Sequence, residues 1–439
     1  MTNSNVTIND NTRILAKDEF VSNDTRLTNL NNNDLIVGPT GSGKTRYIVK
    51  PNLMQMNESV VVTDTKGSLV REVGPVLADH GYEVIHIDFT DPAAGTGYNP
   101  LDFIRIDEHT GKPSEQDMVS VTTTLCPPID VRDPFWDQSS LLMMCALVGY
   151  VMERLAPQER TLASVVKLSE ELETDGIVGQ LMEELAQENP TSFAARKWRA
   201  AQSSKESERT YACIVAFVAA KLQPLTFNAT TQMFSKPNRI DFEQLGQRKT
   251  AVFLTVSDTD RSLDPLVGLF YTQALQVLCN YADTRCRNSA LPVPVRLYLD
   301  DFATNCRIDN FDKTISVIRS RNIAVSVVLQ SITQLETLYS HAASMTIVNG
   351  CDHLVYLGGQ DVETAQFISM KANKTVDTVL NQPVGTIWLF ERGKRGKTVK
   401  RFELTDHPLY AELPEAQVSL PEAQVDGPEG EQVEIGGAA

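Results

Sequence analysis

Residues 38–45 read Gly-Pro-Thr-Gly-Ser-Gly-Lys-Thr and match GxxxxGK[ST] in full. Gly38, Gly41 and Gly43 let the chain wrap with its N–H groups turned inward, so that Gly38, Pro39, Thr40, Gly41, Ser42 and Gly43 enclose phosphate oxygens. Lys44 is placed to reach the β and γ phosphates, and Thr45 to ligate Mg²⁺. The following helix would turn its positive end to the same anion. The chemistry these types support is a grip on ATP with Mg²⁺.

Hydrolysis also needs a carboxylate on a neighbouring strand. "VRLYLDDFA" supplies two, Asp300 and Asp301, after a run of buried-strand character. Asp300 would hold Mg²⁺ through water, and Asp301 would orient or deprotonate the attacking water. In the competing reading one of them merely caps a helix. Gln330 ends the strand-like run "IAVSVVLQ" and is placed to sense the γ phosphate, or simply to satisfy the strand end. Arg319 and Arg321 precede that run. One of them would reach a neighbouring subunit's nucleotide as an arginine finger; the alternative is a solvated surface arginine.

These residues need a scaffold. "DLIVG", "SVVVTD" and "EVIHIDF" read as strands, with helices between them. The pattern returns after residue 245 in "TAVFLTVSD", "VRLYLDD", "IAVSVVLQ", "HLVYLGG" and "GTIWLFERG". Alternation of strands and helices predicts an α/β fold with a mostly parallel central sheet. Between residues 107 and 245 the apolar spacing is helical and few strand-like runs interrupt it, which predicts a helical insertion. The predicted organisation is a polar segment 1–30, a nucleotide-binding domain split into 31–106 and 246–409 around that insertion, and an acidic tail 410–439. The tail repeats "LPEAQV" at 413–418 and 420–425 and reads as disordered or as a docking segment.

Composition narrows the classes. No basic-then-apolar leader opens the chain, and the longest apolar run, residues 141–152, is too short to span a bilayer, so a soluble chain is expected. The seven cysteines form no CxxC pair, which predicts a reducing compartment and no structural metal. The net charge of −16 argues against a protein that coats DNA with its whole surface. From Phe402 onward there are nine acidic residues and no Lys or Arg, which takes the remainder from −16 to −7 and leaves room for a local basic patch.

From about residue 35 to 410 the sequence resembles the type IV coupling proteins, conjugation ATPases of the TraG/TraD type. "IVGPTGSGKTRYIVKPNL" is close to their first motif, and "VVVTDTKGSLV", with Asp64, Lys66 and Gly67, resembles their second, usually DPKGEL. "GYNPLDFI" is similar to their NPL element and "DPFWDQSSLLMMCAL" to their FW-containing helix start. "LYLDDFATNCRI" resembles the acidic motif and "VVLQSITQLETLYS" the glutamine motif. The resemblance implies a RecA-like P-loop NTPase of the FtsK/HerA type with an inserted all-α domain, its distal core at 155–207. It implies homo-hexameric rings that couple ATP hydrolysis to moving a relaxase–DNA complex, or protein substrates, to a type IV secretion channel. It also implies work at the inner face of the cell membrane with the secretion system's membrane components, and it puts the trans arginine on Arg319. The sequence departs from the family in having Asp301 where glutamate is usual, Thr65 where proline is common, and no amino-terminal transmembrane helices.

For DNA contact, single- or double-stranded, "ERGKRGKTVKRF" offers Arg392, Lys394, Arg395 and Lys397 on a predicted hairpin, which a solvated turn explains equally well. "AARKWRAAQSSK" surrounds Trp198 with Arg196, Lys197 and Arg199; packing of the indole with its charges in water is the simpler reading. Two rival functions remain open at this level: a coupling ATPase for protein effectors only, and a non-hydrolysing adaptor.

Overall fold

Six short apolar runs are buried from end to end and lie side by side: β3 (Asp34–Val37), β4 (Ser59–Asp64), β6 (Thr250–Thr255), β7 (Val295–Leu299), β8 (Ile323–Leu329) and β9 (His353–Tyr356). Continuous apolar runs suit parallel strands covered on both faces. The computed structural model describes residues 10–127, 134–172, 176–202, 208–301 and 306–417. The first nine residues, the second "LPEAQV" copy with most of the acidic tail, and Phe302 to Asn305 of the acidic motif lie outside the described residues.

With β5 (Glu83–Asp88), β10 (Thr386–Glu391) and β11 (Lys397–Lys400), these strands form one sheet in the order β11-β10-β9-β3-β8-β7-β4-β6-β5. From β9 to β5 every pairing is parallel; β10 runs antiparallel to β9 and β11 antiparallel to β10. Val37 of β3 pairs with Leu329 of β8 on one side and Tyr356 of β9 on the other. The loops after these strands therefore leave from one end of the sheet, the end at which open parallel sheets hold ligands.

Alternating side chains divide the interior into two layers. Ile36, Val60 and Val62 pack with Ile48, Val49 and Leu53 of the helix after the glycine loop. Leu35 and Val37 face the other way, into a cluster that runs on to Met143, Leu147 and Phe193. The segment "TRILA" is β1 (Thr12–Ala16), and it pairs antiparallel with β2 (Glu19–Ser22), a partner its mixed composition did not announce.

Between β5 and β6 the elements of more than three residues are helices among the described residues, including Glu115–Leu125, Pro134–Arg154, Leu162–Glu170, Ile177–Glu188, Phe193–Gln202 and Glu208–Leu222. Helix Pro134–Arg154 is the hub, packing on Phe193–Gln202, Glu208–Leu222 and Glu115–Leu125. Gly149 permits the closest crossing: a Cβ there would stand 2.8 Å from the Phe193 ring and 3.1 Å from Ala194 Cα. The helical cluster shares one continuous apolar core with the sheet. Asn99 of the "NPL" element is fully buried where the two meet, giving its amide to Arg160 O at 2.9 Å and accepting from Leu162 N at 3.0 Å. Among the described residues no single helix is long and apolar enough to cross a membrane.

Candidate nucleotide site

The glycine loop leaves β3 and enters a helix that opens with a π-helical turn, Thr45–Val49, before continuing as Lys50–Met54. Gly41 and Gly43 hold φ angles of 79° and 85°, values that suit glycine. At Gly43 there is a second reason, because an added Cβ would sit 2.2 Å from the Tyr47 ring. Lys44 is buried, and its ammonium donates to Gly38 O at 2.8 Å and Pro39 O at 3.3 Å. Ser42 Oγ is buried without a hydrogen-bond partner among the described residues.

The paired aspartates follow β7. The sequence reading placed them on a strand neighbouring that of the glycine loop; instead β8 lies between β3 and β7. The intervening strand brings Gln330 into the gap, so three strand ends converge. Thr45 Oγ1 donates to Asp300 Oδ2 at 2.6 Å across 255 residues of sequence. Asp301 Oδ1 lies 3.9 Å from Lys44 Nζ and accepts from Gln330 Nε2 at 3.4 Å. Lys44, Thr45, Asp300, Asp301 and Gln330 are thus brought together. Asp301 sits at φ 48°, a left-handed conformation that short polar residues tolerate best.

Burial pushes the Asp300 carboxyl up to about 6, opposed by the Thr45 hydroxyl and reinforced by Asp301 nearby. An oxygen-only pair of half-buried Thr45 and buried Asp300, beside an ammonium that meets loop carbonyls, is a donor set for a magnesium-bound polyphosphate.

Arg319 is not brought to this cluster. It lies before β8, whereas the cluster lies after it; seven residues of strand span roughly 23 Å. Arg319 Nη2 donates to Thr25 O at 3.1 Å. Arg321 is committed to Asp283 through bonds of 2.9 and 2.7 Å. Of the two arginines left open by the sequence, Arg319 is the one without a carboxylate partner among the described residues.

Asp64 of the second motif accepts from Ser68 N and Val70 N, both at 3.0 Å, and so caps the next helix. On the β10–β11 hairpin, Arg392 pairs with Asp352 at 3.3 Å, Lys394 with Glu391 at 2.9 Å and Lys397 with Glu19 at 2.6 Å. Among the described residues Arg395 has no ion pair, and the hairpin carries less unpaired charge than the sequence suggested. Trp198 is buried, while Arg196 pairs with Glu115 and Arg199 Nη2 donates to Pro190 O, both at 2.5 Å. That patch packs as its simpler reading supposed.

Two features escaped the sequence. Beneath β3, at the far end from the loop, Asp34 meets Arg13 at 3.1 Å and Arg296 at 3.0 Å, and Arg296 also pairs with Glu58. Burial alone would raise the Asp34 carboxyl, but the two guanidinium groups hold it below its usual value. The signal was present as a lone arginine inside the apolar run "VRLYL". The second is a carboxy-terminal strap. Leu404, Leu409 and Leu413 are buried in the layer that holds the loop helix. Glu415 pairs with Arg46 at 2.7 Å, and the Arg401 guanidinium lies 4.0 Å from the centre of the Tyr47 ring.

The sequence profile of the family described as "Type IV secretory system Conjugative DNA transfer" matches residues 4–382. Conjugal transfer protein TraG of Escherichia coli is 24% identical over 397 residues, covering 85% of this chain and 60% of TraG. Protein VirD4 of Agrobacterium fabrum is 24% identical over 347 residues, covering 76% of this chain and 48% of VirD4. The chain thus spans about three fifths of one relative and half of the other. Among solved structures, the conjugative coupling protein TrwB in complex with ADP and Mg²⁺ superposes with a TM-score of 0.62 at 15% identity, covering 84% of this chain and 85% of TrwB. The sulphate complex of the same protein gives 0.63 at 14% identity, with the same coverage. The fold is that of TrwB.

Proposed function

The chain belongs to the type IV secretory system conjugative DNA transfer family, and from that premise we propose that it is an ATP-driven ring motor that passes relaxase-bound DNA to a type IV secretion channel. The observation that carries this reading is the 2.6 Å hydrogen bond from Thr45 to Asp300, which joins the glycine loop to the acidic pair in one cleft. TraG is named a conjugal transfer protein and TrwB a conjugative coupling protein, and TrwB has been seen with ADP and Mg²⁺.

Thr45 and Asp300 would hold Mg²⁺, which supplies charge neutralisation on the phosphates. Lys44 would exchange its loop carbonyls for β and γ phosphate oxygens. Asp301, held between Lys44 and Gln330, would accept a hydrogen bond or a proton from the attacking water, while Gln330 reads whether a γ phosphate is present. Arg319 cannot serve its own loop across the sheet, so it would complete the site of the adjacent subunit in a hexamer. The helical residues 107–245 would receive substrate, and the assembly would sit at the inner face of the membrane.

The test is ATP hydrolysis with and without DNA. We expect DNA to stimulate turnover and Lys44→Ala to abolish it; full turnover by that variant would refute the site. The carboxylates paired with Arg392, Lys394 and Lys397 favour a second reading, in which the cargo is protein alone. DNA affinity measured at stated salt separates the two, because phosphate binding weakens steeply as salt rises.

A further inference from the structure

The sheet end remote from the glycine loop carries a cleft of about 750 Å³. Arg26, Arg287 and Arg319 line it, with amides such as Asn57 and Asn288 between them. Glu58 also lines it, but Arg296 already meets that charge. Arg26 has Asp24 at 3.5 Å. Arg287 has no hydrogen bond or ion pair among the described residues.

The backbone at Arg287 is unusual. Asn288 and Ser289, the next two residues, hold φ angles of 61° and 53°. Successive left-handed non-glycine residues cost conformational energy, and here the three side chains are exposed, so no packing explains the turn. The turn is tied to the Arg319 segment: Leu291 N donates to Arg321 O at 3.1 Å, and Asn322 Nδ2 donates to Leu291 O at 3.1 Å. These bonds tie the segment that carries Arg287 to the one that carries Arg319, and both arginines line the same cleft.

Exposed apolar side chains stand beside these cations. Leu27 is 76% exposed next to Arg26, and Val317 is 52% exposed two residues before Arg319. A nucleic-acid backbone offers such groups nothing, whereas a docked protein surface covers them. The cations face away from their own glycine loop, so the anion they suit is one carried by another molecule.

Building on the ring reading above, we propose that Arg287 is a second trans-acting cation, which joins Arg319 on the triphosphate held by the glycine loop of an adjacent copy of this chain. Two planar guanidinium forks in one cleft match the several oxygens of adjacent phosphates. The interface is heterologous, one end of the sheet against the other end of the next subunit, the type that closes into a ring when the rotation between subunits permits.

The test uses the full chain at ring-forming concentration. Arg287→Ala should slow turnover roughly a hundredfold, the scale of losing one preorganised donor to transition-state charge. Its affinity for a fluorescent ATP analogue as a dilute single chain, and its melting temperature, should be unchanged, and Arg287→Lys should restore part of the rate. Mixing Arg287→Ala with the inactive Lys44→Ala chain should raise the rate to about a quarter of wild type on random assembly, because the Lys44→Ala neighbour supplies an intact Arg287. Wild-type turnover by Arg287→Ala alone would overturn the proposal, as would reduced DNA affinity with normal DNA-free turnover. If Arg319→Ala is rescued by Lys44→Ala and Arg287→Ala is not, Arg287 is idle while the ring reading stands. If neither is rescued, both fall together.

Discussion

Asp301 is one of two residues at which the sequence departs from the pattern it resembles, and its backbone gives a physical reason. At φ 48° aspartate is better tolerated than a longer side chain, and its carboxylate still lies 3.9 Å from Lys44 and 3.4 Å from Gln330. Asp301→Asn should therefore lower kcat by about 10²–10⁴, the usual weight of a positioned base, with little change in KM; steady-state kinetics checks this, and an unchanged kcat would remove Asp301 from the chemistry. Gly43→Ala meets both a positive φ and the Tyr47 ring, so nucleotide binding should be lost in a titration while the sheet remains folded by circular dichroism. A third residue governs acid stability. Burial lowers the His407 imidazole to about 4, and its Nδ1 accepts from Leu409 N at 3.2 Å. Because the unfolded chain binds the proton more readily, the stabilisation is full above about pH 6.5 and fades as pH falls toward 4. Between pH 7.5 and 5 wild type should lose about 2 kcal/mol more than His407→Asn in urea unfolding; equal losses would contradict this.

At the scale of elements, the strand order explains what was legible in sequence. The buried runs announced the strands, because strands covered on both faces need no polar alternation. The length of the apolar run at 141–152 likewise announced helix Pro134–Arg154, which is largely buried because helices and the sheet layer cover it. Which strand lies beside which was not legible: β8 enters between β3 and β7 through register with both, and nothing local in "VRLYLDD" encodes that. The strap was missed for a related reason. Leu404, Leu409 and Leu413 are single apolar residues in an acidic stretch without a helical or strand period, and only the groove beside the loop helix gives them a place. Truncation before Leu404 should lower the melting temperature and weaken ATP binding together, since the strap bears on Arg46 of the loop helix through Glu415; a calorimetric scan with and without nucleotide checks it, and an unchanged ATP-induced shift would separate the strap from the site. Gly149→Val should cost about 1–3 kcal/mol in urea unfolding by forcing two helices apart.

For the whole molecule, the net charge of −16 and the ion pairs of Arg392, Lys394 and Lys397 argue against DNA binding by a single copy's hairpin alone. A ring concentrates a few cations from each subunit around one axis, so DNA affinity should rise with assembly and fall steeply with salt. In the proposed motor the two ends of the sheet would divide the labour: one holds Lys44, Thr45, Asp300, Asp301 and Gln330, the other Arg287 and Arg319. No single copy can join the two. The most direct measurement is the ATP turnover rate per subunit against protein concentration, with and without DNA. The account predicts a rate that climbs steeply as subunits meet, climbs at lower concentration when DNA is present, and stays at background for Lys44→Ala throughout. A rate per subunit that is high and flat from the most dilute sample upward would contradict it.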